Sequence, residues 1–261
     1  MNHEHIRVER DGAIATVVLD RAEKRNALTP AMLLALRAIA EGFRDEPEIR
    51  AVVIRGEGAH FSVGADISQM GGAAPPTVHL RRTAEAGALL MRALREIHQP
   101  TICAIQGIAT GGATCIATAC DFRIGTPDTR IGYGEVKLGI NLMWHALPLA
   151  IQTVGLSRAK TMVMTGDLFD AETLLSWGFF EKMVPTEDLA AAADALARQY
   201  AALPPIAVQM IKRSANAYAG ALDQAVMHAD ADQWLLATRT ADFREGVSSF
   251  FEKRPPDFTG D

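Results

Sequence analysis

Two glycine-containing segments hold backbone N–H groups where chemistry could use them. Phe61-Ser62-Val63-Gly64-Ala65-Asp66-Ile67 follows the β-branched run Ala51-Val52-Val53-Ile54-Arg55 and opens a short helix. Gly107-Ile108-Ala109-Thr110-Gly111-Gly112-Ala113-Thr114-Cys115 follows Thr101-Ile102-Cys103-Ala104-Ile105 and opens another. Free N–H groups at a helix start attract negative charge through unpaired donors and the helix dipole. Side by side, two such turns could each aim an N–H at one oxygen and form an oxyanion hole. Taken singly, either turn more often serves only to let a strand and a helix pack closely. Glu135, after Tyr133-Gly134, reads on its own as a solvated surface residue more readily than as a catalyst.

The elements that must position these groups alternate in the first half of the chain. Ala13–Leu19 reads as a buried strand ended by Asp20-Arg21. Thr29-Pro30 supplies an N-cap and a first-turn proline for a helix to about Phe43, with Met32, Leu33, Leu36, Ile39 and Ala40 on its apolar stripe. Strands are expected at 51–55, 101–105 and 122–125, with a helix from about Val78 to His98 between the middle two. Repeated strand–helix units imply an α/β fold with parallel strands. Beyond Gly139 helical segments dominate the pattern, near 145–154, 157–165, 171–176, 186–202, 205–218, 220–236 and 240–252, and the C-terminal third reads as a helical layer rather than a second sheet. Gly71-Gly72-Ala73-Ala74-Pro75-Pro76-Thr77 is expected to be a mobile loop.

Six motifs, in order, give the chain a resemblance to the enoyl-CoA hydratase/isomerase (crotonase) family over nearly its whole length. They are Asp20–Leu28 (DRAEKRNAL), His60–Ile67 (HFSVGADI), Gln106–Gly112 (QGIATGG), Cys120–Ile124 (CDFRI), Gly134–Ile140 (GEVKLGI) and Glu245–Pro256 (EGVSSFFEKRPP). The resemblance implies an α/β spiral of ββα units as a core over residues 1–200, and a C-terminal helical trimerisation region over 201–261. It also implies a homotrimer or dimer of trimers and an acyl-CoA substrate, with coenzyme A entering as part of that substrate and no other cofactor. It assigns the oxyanion donors to the backbone N–H groups of Ala65 and Gly112, and the acid–base role to Glu135. A missing donor in such a hole costs about 2.7–4 kcal/mol of transition-state stabilisation.

The family's double-bond hydrating members carry a second glutamate three residues after the oxyanion glycine, where this chain has Cys115. A thiol titrates near about 8.5, and apolar burial raises it, so Cys115 is expected to pack against the acyl site rather than share proton transfer. Hydration needs one group to activate water and another to protonate C2. Shifting a double bond from C3 to C2 needs one base that takes the C2 proton and returns it at C4. Isomerisation by Glu135 alone is therefore the simpler expectation. Hydration or thioester hydrolysis stays open, because the family's small, glycine-rich stretch is replaced by Ile140-Asn141-Leu142-Met143-Trp144-His145. Asn141 or His145 could orient a water or supply a proton. Trp144 and Met143 read as pocket wall. A non-catalytic acyl-CoA scaffold is the reading from another class, and the retained Glu135 beside an intact oxyanion motif argues against it.

By the same resemblance the CoA moiety lies along Lys24, Arg25 and Ala27 with Ile67 beside the adenine, completed by Phe250 and Lys253 of the C-terminal helix, often from a neighbouring subunit. Ser68 stands where a lysine is frequent, leaving more to Arg25 and Lys253. The net charge of −5, with Lys and Arg dispersed, gives no basic patch for nucleic acid. No apolar run approaches the roughly 20 residues of a membrane span. The first residues lack the basic and apolar regions of a signal peptide. Cys103, Cys115 and Cys120 lack metal-ligand spacing and fit reduced, buried thiols, so a cytoplasmic protein is expected.

Overall fold

The computed structural model describes residues 3–69 and 76–261. Residues 71–75 of the expected mobile loop lie outside the described residues, and Thr77 already belongs to a helix. The chain opens with β1 (Ile6–Asp11) and β2 (Ile14–Leu19), an antiparallel pair. Only β2 was expected. β1 has an apolar start and a charged end, Arg7 to Asp11, and its solvated edge position leaves little hydrophobic signal.

Helix α1 (Pro30–Gly42) begins as its sequence dictates: the Thr29 side chain accepts from the Met32 N–H, and Pro30 takes the first turn. It leads to β3 (Ala51–Gly56), α2 (Thr77–Arg95) and β4 (Thr101–Ile105). Next come β5 (Ile108–Thr110), α3 (Gly112–Ala119), β6 (Phe122–Gly125) and β7 (Arg130–Gly132). The second half contains α4 (Ala146–Val154), α5 (Leu156–Thr165), β8 (Phe169–Asp170), α6 (Ala171–Ser176), β9 (Lys182–Met183) and α7 (Leu189–Ala201). It closes with α8 (Pro205–Ala219), α9 (Gln224–Met227), α10 (Asp230–Ala237) and α11 (Ala241–Glu252).

A six-stranded sheet runs β1-β2-β3-β4-β6-β9, parallel from β2 onward, and a three-stranded sheet runs β5-β7-β8. Successive repeats send their first strand to the large sheet and their second to the small one, β4 then β5, β6 then β7. That is the expected spiral of ββα units. The large sheet is buried on both faces. Val17, Val52, Ile54 and Cys103 pack towards α1, α2 and α3, while Ile14, Val53, Ile102 and Ile124 pack under α7.

The region after Gly139 is dominated by helices as expected but also holds β8 and β9, which pair into the two sheets over two residues each, too short to leave a periodic pattern. Two expectations are corrected. The helix expected over 220–236 is broken into α9 and α10. The helix expected to reach His98 stops at Arg95. The C-terminal helices are tied to the core by a half-buried ion pair, Lys212 Nζ to Asp121 Oδ2 at 2.6 Å, and by Arg95 Nη1 to Asp223 Oδ2 at 3.0 Å. None of the described helices is long and apolar enough to cross a membrane.

Candidate active site

Beyond β3 the chain is zipped to the segment beyond β4. Phe61 N–H donates to Gln106 O at 2.9 Å, Ser62 N–H to Ile108 O at 3.1 Å, and Thr110 N–H to Ser62 O at 3.3 Å. This pairing brings the two glycine turns into direct contact. A Cβ built on Gly64, whose φ is +80°, would lie 2.4 Å from Thr110 O and 3.3 Å from Gly112 N. Only glycine permits that approach. The neighbouring Ala65 N–H finds no acceptor among the described residues. Gly112 N–H, at the first position of α3, is one of the donors a helix leaves unpaired. Two free donors thus sit on adjoining turns.

The Ala65 turn is braced from the Arg21–Leu28 segment. Leu28 N–H donates to Gly64 O at 2.8 Å and Asp66 N–H to Leu28 O at 2.9 Å. Arg21 Nη1 reaches both Ala27 O, at 3.0 Å, and Asp66 Oδ2, at 2.8 Å. The Ser68 hydroxyl first, then Arg21, holds the Asp66 carboxyl below the usual carboxylate range. Buried Asn26, in a left-handed conformation, caps the arrangement with Nδ2 bonds to Glu57 O, His60 O and Phe61 O.

Glu135 opens a 3₁₀ turn, Glu135–Leu138, immediately after the buried Tyr133. Its carboxyl lies against Gly111: a Cβ there would be 3.2 Å from Glu135 Oε1. Although the residue as a whole is half-buried, Oε2 is sealed from solvent with no hydrogen-bond partner among the described residues. Burial pushes the carboxyl up to about 7, with its own backbone N–H offsetting only part of the effect. Such a group is close to isoenergetic between acid and base near neutral pH, which suits proton transfer in both directions.

Cys115, one turn into α3, is fully buried. Burial first, then the charges of Glu135 and Asp230, pushes its thiol well up, so it stays neutral. The Ile140–His145 segment packs over these groups. Trp144 and His145 are both left-handed, φ 65° and 57°. Left-handed backbone at residues bearing a Cβ costs on the order of 1–3 kcal/mol each and persists only where the surroundings enforce it. The Trp144 indole occupies space that a side chain on Gly112 or Gly87 would need, 2.4 Å and 2.1 Å from the built Cβ atoms. Asn141 Oδ1 is buried without a partner, and Asp230 Oδ2 accepts the His145 N–H at 2.7 Å. A cavity of about 250 Å³ beside this segment is lined by Val136, Ile140, Asn141, Leu142, Asp230 and Gln233, among others.

The fold thus brings Ala65, Gly112, Cys115, Glu135 and Trp144 together, with Asn141 and His145 on the flanking segment. Lys24, Arg25 and Ala27 lie on the Arg21–Leu28 segment, which pairs with the Val63–Ile67 turn through Val63 N–H donating to Arg25 O at 3.1 Å. Lys24 and Arg25 are exposed and carry no ion pair among the described residues. Phe250 and Lys253 end α11, exposed, with Lys253 as its left-handed C-cap. Among the described residues no hydrogen bond, ion pair or aromatic contact joins them to the Lys24–Ile67 loops. Asp230 was not foreseen. It lies inside a stretch read as one continuous helix, and no local motif distinguishes it from its neighbour Asp232.

Comparison with known proteins places these features in a family. The sequence model described as enoyl-CoA hydratase/isomerase matches residues 9–261. An (E)-benzylidenesuccinyl-CoA hydratase of Thauera aromatica is 32% identical, over 98% of this chain and 99% of the relative. A 1,2-epoxyphenylacetyl-CoA isomerase of Escherichia coli is 29% identical over 95% of each. Other relatives also bear hydratase names. The crystal structure of an enoyl-CoA hydratase from Mycobacterium avium subsp. paratuberculosis superposes with a TM-score of 0.88 over 98% of both chains, at 24% identity, and so shares the fold.

Proposed function

The chain belongs to the enoyl-CoA hydratase/isomerase family, and from that premise we propose that Glu135 moves the proton of an acyl-CoA thioester enolate held by the Ala65 and Gly112 N–H groups. The observation that carries this reading is the Glu135 carboxyl, raised to about 7, beside the glycine turn that leaves Gly112 N–H free. Enolate charge developing on the thioester oxygen is stabilised by two preorganised donors. The lowered cost of that charge brings the C2 proton within reach of a buried carboxylate.

Within this chemistry we favour double-bond isomerisation from a 3-enoyl- to a 2-enoyl-CoA. Cys115 is neutral and buried where a hydrating member carries its second glutamate, which leaves Glu135 to take the proton from C2 and return it at C4. Hydration of a 2-enoyl-CoA is the second reading. It is supported by the hydratase names of most relatives and by Asn141, whose buried Oδ1 has an unused acceptor site for a water. Thioester hydrolysis stands behind both. Incubating the protein with short-chain 3-enoyl-CoA and following products by NMR separates them. Accumulating 2-enoyl-CoA supports isomerisation, and 3-hydroxyacyl-CoA replaces that reading with hydration.

For the CoA moiety we assign Lys24, Arg25, Ala27 and Ile67, with Phe250 and Lys253 supplied across a subunit boundary. Both side chains are exposed at the end of α11, which supports a contribution in trans. The residues 201–261 are proposed as the oligomerisation region of a trimer or a dimer of trimers, over the core formed by 1–200. Helix α8 buries none of its residues, and Ile206, Ile211 and Tyr218 are 74%, 69% and 88% exposed. Three free buried thiols, Cys103, Cys115 and Cys120, support a cytoplasmic setting.

A further inference from the structure

Trp144 and His145 are consecutive residues with left-handed backbone, a conformation that side chains with a Cβ seldom adopt without outside restraint. The restraint comes from α10. Asp230 Oδ2 accepts the His145 N–H at 2.7 Å, and one helical turn further on Gln233 Oε1 accepts from Asn141 Nδ2 at 3.4 Å. The C-terminal helices therefore grip the Asn141–His145 segment at two points. On its opposite side the segment presents the Trp144 indole, which fills the space beside Gly112 on α3 and Gly87 on α2.

We propose that Asp230 is a positioning residue that, by holding the His145 N–H, seats Trp144 against Gly112 and so fixes the wall limiting the acyl group beside the thioester. The catalytic consequence rests on the reading of Gly112 as an oxyanion donor; the seating of Trp144 is a structural claim that stands or falls without it. Asp230 acts here as an acceptor oxygen on a backbone amide. Asparagine keeps such an oxygen and alanine does not.

The chain has three tryptophans, so W177F/W234F leaves Trp144 as the single fluorophore. In that background D230A is expected to red-shift the emission and raise acrylamide quenching, while D230N stays near the parent. In the otherwise unaltered protein, the ratio of kcat/KM for short over long 2-enoyl- or 3-enoyl-CoA is expected to fall about 10-fold in W144A. D230A should lower it in the same sense, D230N should restore it, and D230A should add nothing in the W144A background. Unchanged emission and quenching in D230A, or chain-length effects of D230A and W144A that add, overturn the proposal. If D230A does not fold, hydrogen exchange of the parent decides. A His145 amide as protected as those of α3 supports the proposal, and exchange at loop rates overturns it. A parent inactive on every acyl-CoA defeats the functional reading, whereas fluorescence and exchange still judge the seating.

Discussion

Among single residues, the proposed chemistry turns on one buried carboxyl. Glu135→Gln keeps the shape and hydrogen-bonding size of the side chain but cannot take a proton. Turnover should fall by about 10²–10⁴-fold, measured with whichever enoyl-CoA the protein accepts. In the parent, activity should rise with pH through about 7 as the base ionises. The same residue sets a stability prediction of definite sign. Folding raises the Glu135 carboxyl from 4.5 to about 7, so its neutral form is favoured in the native state. That contribution is complete below pH 4.5 and is lost as pH rises through about 7. Glu135→Gln should therefore match the parent in denaturant unfolding at pH 4 and exceed it by up to about 3 kcal/mol at pH 8. Equal stability at both pH values would mean that the carboxyl is solvated. From sequence, Glu135 was legible only through its motif, because its burial comes from Gly111, the Tyr133 turn and the Ile140–His145 segment, which meet it in three dimensions.

At the element scale, the site depends on two turns being held in register. Arg21 links Ala27 O to the Asp66 carboxylate, one residue beyond the Ala65 donor. Arg21→Ala should let that turn shift and lower kcat by about 10–100-fold, as expected when a reacting group is displaced by an ångström. KM should change less, and steady-state kinetics separates the two. A parent-like kcat would show that the backbone bonds of Leu28 and Asp66 suffice alone. Elements with strong local signals were read well: α1 from Thr29-Pro30, and β2, β3, β4 and β6 from their apolar runs. The missed short strands share one physical cause. β5, β7, β8 and β9 span two or three residues and exist because a neighbouring strand is present, so no local pattern encodes them. The stretch read as one helix from 220 likewise begins only at Gln224, after Asp223, which is engaged by Arg95 and Gln152, contacts more than 70 residues away in sequence.

At the scale of the whole molecule, α8 to α11 connect the site to surfaces that a single chain leaves bare. Helix α11 packs on the Glu135–Leu138 turn, where Gly246 permits a close approach to Leu138. Helix α8 meanwhile presents Ile206, Met210, Ile211 and Tyr218 outward. Light scattering should give the mass of three or six chains, and Ile211→Glu should reduce it to one. A parent that is already monomeric at micromolar concentration would remove the subunit contribution of Phe250 and Lys253. The most direct test of the central claim bypasses both the acyl group and the choice between isomerisation and hydration. A saturated acyl-CoA such as butyryl-CoA has no double bond to shift or hydrate, so in D₂O deuterium can enter its acyl chain only by enolisation at C2. The account predicts deuterium at C2, at a rate that climbs through pH 7 and falls at least about 100-fold in Glu135→Gln. Exchange that proceeds equally fast in Glu135→Gln would contradict it.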